Sequence, residues 1–200
     1  MRRRAVATLL VALAVGIAAC GRAPAAADLP VMPLGGDFTL TDHDRRQFEL
    51  TSLRGKVVLI FFGYTFCPDF CPTTMSKLGS VYRRLGADAA RVQTLYISVD
   101  PERDTPEALK ADMANFSVKA LGLTGTKAEI DKVVAQYGAA YEIVPTPESA
   151  AKYTVAHTTT LYALDAAGQM RMAVRYEASV DEIVAGIKAV LAAGPAPARS

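Results

Sequence analysis

Cysteine is scarce in this 200-residue chain: Cys20, Cys67 and Cys71 are all there is, and histidine is limited to His43 and His157. So few thiols rule out a disulfide-stapled mini-protein, and an apolar share of 51% supplies a core that needs no staples. A basic block is missing too. The first 19 residues hold three of the 22 basic side chains, leaving 19 basic against 20 acidic side chains in the remainder. A surface so balanced makes nucleic acid an unexpected partner. No internal repeat and no sustained heptad run is present, which excludes solenoids and coiled coils. The apolar run after Arg2, Arg3 and Arg4 is about a dozen residues, too short to span a bilayer comfortably and of the right length for a secretory leader.

That leader ends in Ile17, Ala18, Ala19 and Cys20, a sequence that resembles the lipobox of bacterial lipoproteins. The resemblance implies cleavage before Cys20, a lipid on its sulfur and a domain held at the extracytoplasmic (periplasmic) face of a membrane, where thiols tend to oxidise. The expected organisation is a leader over 1–19, an Ala/Pro-rich tether over 20–33, one domain over 34–193 and a loose tail over 194–200.

Along the domain, strands and helices alternate. Phe38–Leu40 and Gln47–Leu50 flank the polar turn Asp42–Arg46 as a hairpin, and the unbroken apolar run 56–64 reads as a central buried strand. Helical spacing of Met75, Leu78, Val81, Tyr82 and Leu85 predicts a helix over 72–85, followed by a strand over 92–100. Thr105 with Pro106 marks a helix start. Thr126 with Glu129 and Ser179 with Glu182 fit the capping box, which places helices at 127–138 and 180–192. Residues 159–164 and 170–176 form a late antiparallel hairpin around the turn 165–168. A thioredoxin-like α/β sandwich with an N-terminal β-hairpin is the economical fold. Its right-handed crossovers bring the end of the central strand beside the start of the late hairpin, where Cys67, Cys71 and His157 lie in sequence.

Cys67 and Cys71 form a CxxxC frame in the segment GYTFCPDFCPTTM, residues 63–75. Two thiolates with an imidazole from elsewhere suit copper, which exchanges between Cu(I) and Cu(II), and the same pair can instead close into a disulfide. Pro72 is expected to start the helix, with Cys71 at its N-cap and Cys67 in the loop before it. The positive helix end there favours thiolate over thiol, which serves metal ligation and thiol exchange alike. Asp69 either tunes the site or caps the turn. Asp100 and Asp104 are expected to organise the loop and the helix after the second strand, with a role for Asp100 around the ligands as a further option. His43 reads as solvated surface, His157 as the first residue of a strand, and Met75, Met113, Met170 and Met172 as packing.

GYTFCPDFCPTTM, then YISVDPERDTPEAL at 96–109 and YTVAHTTTLYALDAAG at 153–168, together resemble the Sco (SenC) family of copper-binding assembly factors for cytochrome c oxidase. The similarity runs from about residue 33 to 192. It implies copper held by Cys67, Cys71 and His157, and delivery of copper to, or thiol preparation of, the dinuclear copper site of an oxidase subunit. It also implies a copper donor and a thiol reductant as partners, and a chaperone rather than an enzyme in the turnover sense. Two residues depart from the family pattern: Phe66 stands where members often carry histidine, and Ala156 where they often carry aspartate. The alternative is a thiol-disulfide oxidoreductase or a redox sensor. The reductases of this fold use CxxC and a cis-proline facing the thiols, against CxxxC and His157, Thr158, Thr159 and Thr160 here.

Overall fold

Residues 29–195 are described by a computed structural model. Thr39–Asp42 (β1) and Gln47–Glu49 (β2) make the expected hairpin, and Asp42 closes its turn by accepting the Asp44 and Arg46 amides on Oδ1 at 2.9 and 2.8 Å. Val57–Gly63 (β3) is buried at every position, as its unbroken apolar run requires. Phe70–Leu85 (α1) leads to Val92–Ser98 (β4), which pairs parallel to β3. Thr105 caps Pro106–Met113 (α2) by accepting the Ala108 amide at 3.2 Å. Ala120–Thr124 (β5) runs parallel to β4, and Lys127–Gln136 (α3) opens on the Thr126/Glu129 capping box.

Tyr141–Pro145 (β6) and Tyr153–His157 (β7) form a separate antiparallel pair. Leu161–Leu164 (β8) and Met170–Val174 (β9) are the late hairpin, and Val180–Ala193 (α4) starts on the Ser179/Glu182 capping box and packs on α1. The main sheet has the order β2-β1-β5-β4-β3-β8-β9. Its centre is the thioredoxin-like arrangement expected from the sequence, with the β1–β2 hairpin joined to β5 at one side. Phe61 of β3 stands opposite Leu161 of β8, so the end of β3 does meet the start of the late hairpin.

Three strands, β5, β6 and β7, are not foreseen in the sequence. β5 is short and broken by Gly122, and most of β6 is exposed, so neither carries the apolar alternation that marks a half-buried strand. The end of the expected tether is docked. Arg171 donates from Nε and Nη2 to the Leu29 carbonyl at 3.2 and 2.6 Å, the Met32 amide donates to Met170 O at 2.8 Å, and both residues pack on the core. The leader, Cys20 and residues 196–200 lie outside the described residues. No helix among the described residues is long and apolar enough to cross a membrane.

Candidate metal centre

Asp69 is the N-cap of α1 and Phe70 its first residue, so the helix opens two residues ahead of the expected Pro72 and Cys71 is not the cap. Pro72 falls in the first turn. The amides there have no intrahelical acceptor, so a missing N–H costs little. The Asp69 carboxylate makes no capping bond, and the Cys67 sulfur accepts the Cys71 amide at 3.4 Å in its stead. Both thiols are free and buried.

His157 ends β7 where the sequence had it opening a strand, a consequence of the unforeseen β6–β7 pair. Its imidazole meets the rings of Phe61 and Tyr64 edge to face, with centroids 6.1 and 5.8 Å away. Nδ1 lies 3.1 Å from the Thr158 carbonyl, an oxygen that only accepts. A ring hydrogen therefore sits on Nδ1, and Nε2 faces Cys71 Sγ at 3.6 Å. The two sulfurs and one ring nitrogen all lie within 4.8 Å of one another, the single such grouping of histidine, cysteine and carboxylate among the described residues.

The two thiols are electrostatically unequal. A hydrogen bond from Cys71 pulls Cys67 down to about 4 against the effect of burial, helped by His157 and by the Asp69 and Cys71 amides. The same bond, with burial, pushes the Cys71 thiol up. The bond between the two thiols, and not the helix end, is thus what favours thiolate at Cys67 and thiol at Cys71. Cys67 and His157 both line a cleft with Tyr64, Pro68, Asp69 and Phe70. Beneath them, a β-carbon on Gly63 would sit 2.6 Å from Tyr96 Oη and 2.9 Å from Cys71 Sγ, so only glycine fits at the end of β3.

Asp104 ties this loop to the start of α2, accepting the Thr65 amide and hydroxyl at 3.0 and 2.6 Å and the Ser98 hydroxyl at 2.6 Å. Asp100 is buried and reaches neither sulfur nor imidazole in a hydrogen bond. It accepts Tyr153 Oη at 2.8 Å and pairs with Arg103. Arg103, Tyr153, Tyr64 and Tyr96 are neighbours of the site that sequence reasoning missed, although Arg103 stands between the two aspartates it singled out. His43 needs a correction: it is half-buried, and its Nδ1 accepts the Gly122 amide at 3.1 Å, a backbone donor at the bend of a short strand that the sequence did not reveal. Met75, Met113 and Met170 are buried core, as expected.

The SCO1/SenC family model matches residues 27–192. Among solved structures, copper-bound ScoI of Bradyrhizobium japonicum is similar at 41% identity, over 78% of this chain and 98% of that one, with a TM-score of 0.70. BsSco, in which a disulfide switch is identified and which is a member of the Sco family of cytochrome c oxidase assembly proteins, is similar at 27% identity over 80% and 95%, with a TM-score of 0.64. An SCO2-like protein of Rickettsia conorii is 35% identical over 68% of this chain and 66% of its own length. Against the mitochondrial SCO2 homolog of Bos taurus the chain spans half of that protein's length, at 41% identity.

Proposed function

This chain belongs to the SCO1/SenC family, and on that premise we propose that it is an extracytoplasmic copper chaperone that carries one copper ion on Cys67, Cys71 and His157 to the dinuclear copper site of a cytochrome c oxidase subunit. The observation that carries the reading is the convergence of two sulfurs and one imidazole nitrogen within 4.8 Å. Soft sulfur with imidazole suits copper, and a structural zinc site would call for a fourth protein ligand that this grouping does not contain. Loading requires both sulfurs as thiolates, and the proton to be displaced is the one that the Cys67–Cys71 hydrogen bond and burial hold on Cys71. Placement of Cys67 and His157 in the cleft supports transfer by ligand exchange with a copper donor and with the receiving subunit. The reduced protein is expected to retain one equivalent of copper through gel filtration, and Cys67→Ser and Cys71→Ser to retain none. Undiminished retention in both serine variants contradicts the reading.

The membrane part of the proposal rests on the leader and lipobox. The mature chain is expected to begin at a lipidated Cys20, with the residues up to the docked Leu29 as its spacer. Mass spectrometry of the membrane fraction decides this: an unmodified Cys20, or an amino terminus elsewhere, removes the anchor.

A further inference from the structure

We propose that Arg103 is the positioning residue that sets His157 against the cysteine pair, an inference that rests on reading these three residues as the copper ligands. The ligands come from two segments that the backbone ladder does not join. Cys67 and Cys71 follow β3 in the main sheet, whereas His157 belongs to the β6–β7 pair, a sheet of its own. Side chains must therefore fix the hairpin relative to the cysteine loop.

The register of the hairpin shows where they act. The Thr158 amide bonds Ala140 O at 2.9 Å and the Thr146 amide bonds Lys152 O at 2.8 Å, so residues 152, 154, 156 and 158 turn their backbone groups toward β6. Residues 153, 155 and 157 turn theirs the other way. Arg103 meets that free edge: its Nη1 donates to the Tyr153 and Ala151 carbonyls at 3.2 and 3.1 Å. Its guanidinium carbon lies 3.6 Å from the Tyr153 ring centroid. Asp100 completes the clamp, holding Arg103 Nε on one carboxylate oxygen and Tyr153 Oη on the other. On the cysteine side the same guanidinium lies 4.7 Å from the Phe66 ring centroid and 5.8 Å from that of Tyr64.

One side chain thus touches the residue before Cys67 and the strand that ends in His157. A planar fork can serve two carbonyls, a carboxylate and ring faces at once, which a lysine ammonium cannot. The Arg103 side chain is only 17% exposed, so these contacts are shielded from water. This gives Asp100 its place at the centre: it acts through Arg103 and Tyr153 rather than on the ligands.

The test uses reduced protein in which Arg103→Met keeps bulk and removes the fork, with Tyr153→Phe as a milder variant that frees only one Asp100 oxygen. Without copper, amide hydrogen exchange over 141–157 is expected to accelerate at least ~10-fold in Arg103→Met while the amides of β3 and β4 keep their protection. Copper affinity is expected to fall ~10-fold or more, with a smaller fall for Tyr153→Phe and for Arg103→Lys. In a His157→Ala background, Arg103→Met is expected to cost nothing further, because the clamp acts through that ligand. Wild-type exchange and affinity in Arg103→Met overturn the inference, and so does an equal loss with and without His157, which signals general damage. If His157→Ala alone leaves affinity unchanged, it is the underlying ligand assignment that fails.

Discussion

Closing a disulfide between Cys67 and Cys71 is expected to lower copper affinity at least ~100-fold, about 2.7 kcal/mol, and a dithiol reductant to restore it. The sulfurs lie within 4.8 Å, close enough for side-chain rotation to bring them together, and both serve the proposed site. A disulfide sulfur carries no thiolate charge, so oxidation removes two of three donors at once. Reopening it takes two electrons and two protons from the reductant. The first attack falls on Cys67, since that sulfur lines the cleft and Cys71 is the more buried of the two. Loading is then expected to be a thiol event as much as a metal event, with bound copper shielding the pair from oxidation. Isothermal titration of the oxidised and reduced forms, with the disulfide verified by mass, measures the difference. Equal affinities would sink both the gating and the assignment of these cysteines as ligands.

Replacing His157 by alanine is expected to weaken or abolish the sulfur-to-copper charge-transfer band of the Cu(II) form and to weaken Cu(II) binding by ~100-fold or more. Stability should change far less. The ring is half-buried, its edge contacts with Phe61 and Tyr64 are worth about 1 kcal/mol each, and Thr158 still pairs its backbone with Ala140. Thermal unfolding of the apo variant separates loss of a ligand from loss of the fold. A spectrum unchanged from that of the unsubstituted protein removes His157 from the ligand set.

Local signals of the fold were legible wherever one residue type has one physical consequence. The buried run of β3, the Thr105–Pro106 helix start and both capping boxes appear where sequence places them. The start of α1 was misplaced because Pro72 is tolerated anywhere in a first turn, so proline bounds the helix without naming its first residue. The β6–β7 pair escaped because its exposed side chains erase the alternation on which strand prediction depends. For the site, the CxxxC frame alone left copper and disulfide chemistry both open, and the approach of His157 across 86 positions is a property of the topology. Arg103 was the least visible. Its partners are carbonyls and ring faces about 50 residues away, and no spacing rule reports such contacts.

X-ray absorption at the copper edge of the reduced protein, loaded with one equivalent of Cu(I), tests the central claim most directly. The account predicts a first shell of two sulfurs and one imidazole nitrogen, reduced to two sulfurs with loss of the imidazole scattering in His157→Ala. A shell holding fewer than two sulfurs, or an imidazole signal that survives the loss of His157, would contradict it.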